Sequence, residues 1–222
     1  MHNRIVLWLA PLFFLMAFAP FSKCIDLEIS SYFFTKGNPG HFSQNPLWQW
    51  IYDVGPLPGL ILAVLSLSGF IASLLFQKLS FLKRPSLYLV LVCLIGSALL
   101  AHGVFKDHWG RPRPKQTIAF GGPLEYRPFY LPTAAPMPSR SFVCGHATMG
   151  FYFLAVVRLG IRRHKRWLFL TGLFLTVLLG IGLGLSRIAQ GGHYFSDVLA
   201  SMALMWWTAL FFEPLVGDEG TH

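Results

Sequence analysis

Charge is what this chain has least of. Of its 222 residues only 12% are charged and 54% are hydrophobic, whereas soluble globular domains carry roughly a quarter charged residues. Mean hydropathy is +0.54. A soluble globular domain is thereby excluded. Acidic residues are scarcer still, nine against 18 Lys and Arg. Cysteines number three, an odd count that implies no disulfide framework. Cys93 falls in mid-helix, as packing. Cys24 and Cys144 both fall on the expected outer side, so a pairing stays open, although Cys144 sits inside a polar cluster. Internal repeats, low-complexity tracts and the alternation of ten-residue barrel strands are all missing.

Long apolar runs take their place. A helix of about 20 apolar residues spans a bilayer, and six segments qualify, near 5–22, 57–77, 86–105, 147–161, 167–185 and 194–213. The expectation is an all-α, polytopic membrane protein: a six-transmembrane-helix bundle, with 1–222 forming one membrane-embedded domain. The fourth segment is short and carries Arg158 near its end, where a long side chain is expected to snorkel to the interface. The first segment follows Arg4 but is long for a signal core and lacks a clean small-x-small cleavage pattern. Lys23 before Cys24 argues against a lipoprotein-type cysteine. It reads as an uncleaved helix.

A net charge of +9 raises nucleic acid as a partner, and its placement argues otherwise. Arg162, Arg163, Lys165 and Arg166 form one tight basic turn, and Lys78, Lys83 and Arg84 another. Short basic loops stay cytoplasmic. With Arg4 they put both termini inside and turn the segments near 23–56, 106–146 and 186–193 outward. In the first of these, Tyr32, Phe33, Phe34, Trp48, Trp50 and Tyr52 read as interfacial anchors, on a short helix lying along the membrane. Asn38-Pro39-Gly40 and Asn45-Pro46 mark turns. The second is rich in Pro and Gly, including Gly121-Gly122-Pro123, Pro128, Pro132, Pro136 and Pro138. Such a composition precludes a continuous helix, and an ordered loop of that length is usually functional.

Three polar clusters stand at the ends of apolar segments: Lys106 to Arg113-Pro114, Cys144-Gly145-His146, and Ser186-Arg187 with His193 and Asp197. They bring together cations, two imidazoles and one carboxylate. That inventory suits holding a phosphate, attacking it with a histidine and protonating what leaves. His193 and Asp197 are four apart at the start of the sixth apolar helix, a spacing that puts both on one helical face. The carboxylate can then fix the imidazole tautomer and leave the other nitrogen free to attack. Gly191-Gly192 allows close backbone approach to an anion, and Arg187 can grip phosphate oxygens bidentately. Gly145 and His146 open a helix whose N-terminal amides favour anions, and His146 can act as a general acid. Ser141 or Thr148 would serve as its cap. Lys106 and Arg113 can neutralise charge that builds in the transition state. A plainer reading makes Lys106, Arg111, Arg113 and Lys115 a basic patch that attracts anionic headgroups.

The spacing Lys, six residues, Arg-Pro, then Gly-His, then Ser-Arg, five residues, His, three residues, Asp resembles the signature of the type-2 phosphatidic acid phosphatase family. The likeness covers about residues 57–213. It implies a phosphoric monoester hydrolase with His193 as the nucleophile that forms a phosphohistidine, Asp197 orienting it and His146 protonating the leaving group. Lys106, Arg113 and Arg187 would bind phosphate, with Ser186, Gly145 and Cys144 assisting. No cofactor and no metal is expected, and a lone Asp197 is poor material for Mg²⁺. The family's usual serine before Gly-His is Cys144 here, with Val143 where proline is common. A thiol donates a weaker hydrogen bond than a hydroxyl, and a thiolate nucleophile is a further possibility among so many cations.

Phe120-Gly121-Gly122, Ser141-Phe142-Val143 and Gly191-Gly192-His193 are similar to bacterial members that act on lipid A or related envelope lipids. The expected substrate is therefore a phosphorylated membrane lipid at the outer face of the cytoplasmic (inner) membrane. The bilayer is a partner and neither nucleic acid nor an obligate protein partner is implied. Undecaprenyl pyrophosphate and phosphatidylglycerol phosphate are competing substrates. A lipid phosphotransferase and a non-catalytic protein that binds anionic lipids are the alternatives in activity.

Overall fold

In a bilayer each backbone N–H and C=O must be satisfied within the protein, and a helix does this inside one segment. The computed structural model describes residues 2–36, 41–133 and 139–217, and its regular structure is helical, with an isolated bridge between Thr117 and Leu124. The turn expected at Asn38-Pro39-Gly40, Pro136, Pro138 and the tail beyond Gly217 lie outside the described residues.

Helix α1 (His2–Phe18) runs through a 3-10 turn into α2 (Ser22–Lys36). Then α3 (Pro46–Val54) leads into α4 (Leu57–Leu75). Next, α5 (Lys83–Leu91) continues as a π-helix over Val92–Phe105 into the short α6 (Lys106–His108). After the long loop come α7 (Gly145–Phe151) and α8 (Leu154–Arg162), then α9 (Arg166–Leu175), a π-helical turn over Thr176–Ile181, and α10 (Gly182–Ala189). The last is α11 (Phe195–Phe212). Among the described residues five continuous helices are long and apolar enough to cross a membrane: Arg4–Phe34, Pro46–Leu75, Gln77–His108, Arg166–Ala189 and Phe195–Val216. The chain is a multi-pass membrane protein.

Three expectations change here. The fourth segment is no continuous span: it breaks at Tyr152-Phe153 into α7 and α8. The Tyr152 hydroxyl donates to the Leu89 carbonyl at 2.8 Å, which anchors the break. Residues 151–160 are all buried, so this segment is the centre of the bundle. Residues 23–36 are not an outer connection but the continuation of the first helix. Nor, among the described residues, does α3 form a separate helix lying on the membrane, since it runs on into the second span.

Lipid tails are as apolar as leucine, so helices here associate through close packing and small residues. A Cβ on Gly150 would strike the Gly180 backbone, and one on Gly172 the Val157 backbone. At one end of the bundle Arg158 is buried rather than snorkelling. It pairs with Glu213 at 2.5 Å, which also takes Arg162 at 3.2 Å. A buried charge is tolerated when paired, and Glu213 supplies a partner that composition alone did not point to. The three polar clusters meet at the other end.

Candidate active site

The loop between α10 and α11 is a tight hairpin of backbone. Gly192 and His193 both donate backbone N–H to the Arg187 carbonyl, at 2.8 and 3.3 Å. Gly191 has φ +63°, a left-handed conformation that favours glycine. A Cβ on Gly192 would collide with the Arg187 guanidinium, so glycine is what lets this arginine lie across the loop.

His193 precedes α11, and Asp197 sits in its first turn, so the two do not share a helical face. Asp197 Oδ2 accepts from the Tyr194 backbone N–H at 2.9 Å and from Ser141 Oγ at 2.6 Å, as an N-terminal capping carboxylate does. This fold-back sets Oδ2 3.7 Å from Nδ1 of His193, an ion-pair distance rather than a hydrogen bond. Nδ1 is buried without a hydrogen-bond partner, and Nε2 is the nitrogen left on the side away from the carboxylate.

Arg111 holds Asp197 from behind. Its Nη1 reaches Asp197 Oδ1 at 2.5 Å and its Nη2 reaches Asp26 Oδ2 at 2.8 Å. Asp26 in turn accepts from Ser196 N at 2.8 Å, capping α11 from α2. Arg111 is 0% exposed and lies over the Tyr194 ring, 4.5 Å from its centroid. It is no part of a surface patch. Two carboxylates in van der Waals range of one guanidinium keep it charged, its pKa raised despite burial.

Cys144 precedes α7, its backbone N–H donating to Ser201 Oγ at 2.9 Å, and Ser201 donates on to the Asp197 carbonyl at 2.7 Å. Neither Ser141 nor Thr148 caps α7. Ser141 serves Asp197, and Thr148 Oγ1 donates to the Gly145 carbonyl at 2.7 Å. Gly145 must be small, because a Cβ there would lie 2.5 Å from His102 Nε2 and 3.0 Å from Lys106 Nζ. The charges of Lys106, Arg113 and Arg187 act on one another, and those of Lys106 and Arg187 act on Cys144 as well. Burial alone would lower the His193 pKa, but the Cys144 sulfur and Asp197 outweigh it and hold the imidazole above the usual histidine range. For Cys144, burial pushes the thiol up, while His193 pulls it further down, below the usual thiol range. All three cysteines are free, Cys24 exposed and Cys144 buried.

His193, Asp197, His146, Lys106, Arg113, Arg187, Gly145 and Cys144 thus come together. Ser186 does not join them: it is fully buried and its hydroxyl donates to the Leu183 carbonyl at 2.9 Å. Lys115 is exposed at the rim. Among the described residues no three His, Cys, Asp or Glu side chains are grouped as a metal site.

Sequence reasoning passed over four residues. Tyr52 is no interfacial anchor, for its ring stacks on the His146 imidazole at 4.4 Å and carries the Arg187 guanidinium on a face, 4.6 Å away. His102 borders Gly145, with Nδ1 held by the Ser97 carbonyl at 2.8 Å. Asp26 and Arg111 form the clamp. An ionisable residue inside an apolar span is a functional signal by default, and it would have found His102. For Tyr52 nothing local distinguishes it from neighbouring aromatics.

Against known proteins, the model of the PAP2 superfamily matches residues 85–219. Over 201 residues the chain is 34% identical to the lipid A 4′-phosphatase of Francisella tularensis subsp. novicida (strain U112), covering 88% of each. It is 34% identical over 106 residues to that of Rhizobium leguminosarum, covering 48% of this chain and 44% of the relative. To that of Rhizobium etli it is 32% identical over 105 residues, covering 47% and 39%. No solved structure matches it.

Proposed function

This chain belongs to the PAP2 superfamily, and from that premise we propose that it is a membrane lipid phosphatase acting on a lipid A-type substrate at the outer face of the cytoplasmic membrane. One observation carries the reading: the Lys106, Arg113 and Arg187 charges act together beside two imidazoles, at the end of the bundle away from its basic loops. Nε of Arg187 is buried with no hydrogen-bond partner among the described residues. A phosphate oxygen would satisfy it.

In this reading Nε2 of His193 attacks phosphorus and the bond to the lipid oxygen breaks. Burial, and after it the Arg187 charge, push His146 down to about 3. The bound phosphate dianion offsets those cations and lets His146 hold the proton that it delivers to that oxygen as it leaves. Positive charge on His193 is met by Asp197, which Arg111 and Ser141 hold in place. Lys106, Arg113 and Arg187 neutralise the equatorial oxygens, and the Gly145 amide at the start of α7 adds a donor. Water then attacks the phosphohistidine, gives its proton to His146 and releases inorganic phosphate, which restores both histidines. Ser186 has no direct part, since its hydroxyl is committed elsewhere.

The test is phosphate release by the detergent-purified protein, with EDTA present, from a panel of phosphorylated envelope lipids. Release from a lipid A-type substrate is expected, unaffected by chelator and abolished in His193→Ala. Release that persists in His193→Ala, or none from any lipid, would overturn the reading.

A further inference from the structure

Beside Arg187 the structure holds a polar cleft of about 350 Å³ that the chemistry of phosphate removal leaves unused. Gln44, Asn45, Gln49 and Gln190 line it, with Lys115 and Arg187. A second cleft of about 270 Å³ shares Ser43, Gln44, Lys115 and Gln190 with it and is walled by Phe34, Phe42 and Phe120. Those three rings form one cluster, with centroids 5.2–5.3 Å apart. The Phe42 ring lies against Gly191, where a Cβ would strike it, so the aromatic wall abuts the loop that carries His193. Backbone bonds tie the same wall down, from Ser43 to the Ala189 carbonyl at 3.0 Å and from Lys115 to the Gly191 carbonyl at 3.2 Å.

What such a surface recognises follows from its composition. Primary amides present a donor and an acceptor at once and match vicinal hydroxyls, which do the same. Aromatic faces carry negative charge density and attract the polarised C–H groups of a sugar ring. Among the described residues no carboxylate lines either cleft, so an anionic group beside the sugar meets cations there and not a like charge. Ligand clefts begin at about 300 Å³, and two such contiguous volumes suit one or two pyranose rings. Asn45 Oδ1 already accepts from the Leu47 N–H at 2.9 Å and Gln49 Nε2 already donates to Asp53 at 3.0 Å. Gln44 is therefore the amide that offers both its donor and its acceptor to a sugar, with the second lone pairs of the others beside it. The amides are also wired to the phosphate end: Arg187 Nη1 donates to Gln190 Oε1 at 2.5 Å, and Gln190 Nε2 donates to Gln49 Oε1 at 3.2 Å.

We propose that this amide and aromatic cleft is a saccharide subsite, which reads the sugar headgroup whose phosphate lies on Arg187. The inference rests on the phosphatase reading for the position of that phosphate. Most of its walls come from residues 34–49, outside the residues 85–219 that the superfamily model matches. It would therefore add to the shared phosphate chemistry a preference that the superfamily model does not itself carry.

The experiment measures binding in full-length protein carrying His193→Ala, which separates recognition from turnover. The probes are a lipid bearing a phosphorylated glucosamine disaccharide and phosphatidic acid with matched acyl chains, in the same detergent. The sugar lipid is expected to bind more tightly, and Gln44→Ala or Gln49→Ala to cut that preference by about tenfold, as for one lost hydrogen bond with its partner left unpaired. Equal affinity for the two lipids, or a preference that survives both substitutions, overturns the subsite. Hydrolysis is read separately with His193 restored. A sugar preference without phosphate release from either lipid would sink the phosphatase reading and leave the subsite standing.

Discussion

The phenol ring of Tyr52 lies within 23° of parallel to the imidazole of His146, with their centroids 4.4 Å apart. Its neighbour on a face is the Arg187 guanidinium, so one ring from α3 positions the proposed acid and a proposed phosphate ligand. Stacking is worth about 0.5–1.5 kcal/mol and an exposed cation–π contact about 0.5–1 kcal/mol. Tyr52→Ala should therefore lower kcat by about tenfold or more, whereas Tyr52→Phe keeps the ring and most of the rate. Steady-state kinetics decides, and equal losses in both variants would show that the ring does not matter.

Arg111 closes a clamp between α2 and α11. Removing one partner of a buried ion pair costs about 3–5 kcal/mol, and Arg111→Met would strand two carboxylates. The variant should unfold at a clearly lower temperature in detergent. Asp26→Asn keeps the pair with Asp197 and should fall between. An unchanged melting temperature for Arg111→Met would refute the clamp.

His193 must be neutral at Nε2 to attack, and its neighbours hold its pKa above the usual histidine range. The rate should accordingly pass through a maximum in pH, since His146 must keep its proton, and the rising limb, on which His193 loses its own, should have its midpoint above the ordinary value of about 6.5. Cys144→Ser removes one of the neighbours that raise the pKa, so the midpoint should move to lower pH. A midpoint that moves upward would contradict the assignment of His193 as the group that titrates.

The same substitution decides the nucleophile. Cys144 donates its backbone N–H to Ser201, and serine can make that bond equally well. Activity should survive in Cys144→Ser and vanish in His193→Ala, with the trapped phosphoenzyme labile to acid as an N–P bond is. Loss of activity in Cys144→Ser, with an acid-stable adduct in the parent protein, would transfer the role to sulfur.

Glu213 sits about 27 Å from the start of α11, at 1.5 Å per residue over 18 residues. Glu213→Gln should leave Arg158 buried without its counter-charge and lower thermal stability. KM should not change. A change in KM with unaltered melting would mean that this end of the bundle communicates with the site.

Much of this was legible in sequence. Apolar length and charge placement are local properties, so the helical membrane class and the clustering of Lys106, Cys144-Gly145-His146, Arg187, His193 and Asp197 at helix ends could be read along the chain. Motif spacing carried the family because phosphate chemistry needs those residue types at one end of the bundle. Partnership is a different kind of property. Asp26 looked like part of a loop, Tyr52 like a membrane anchor, Arg111 like a surface cation and Arg158 like a snorkelling one. What each became depended on which helix was folded against it, and burial sets the charge it requires. By itself the sequence determined where apolar and reactive residues lie along the chain. Only the tertiary structure decided which buried charge meets which counter-charge, because electrostatic pairing in a low-dielectric interior acts across space and leaves no periodic trace in the chain.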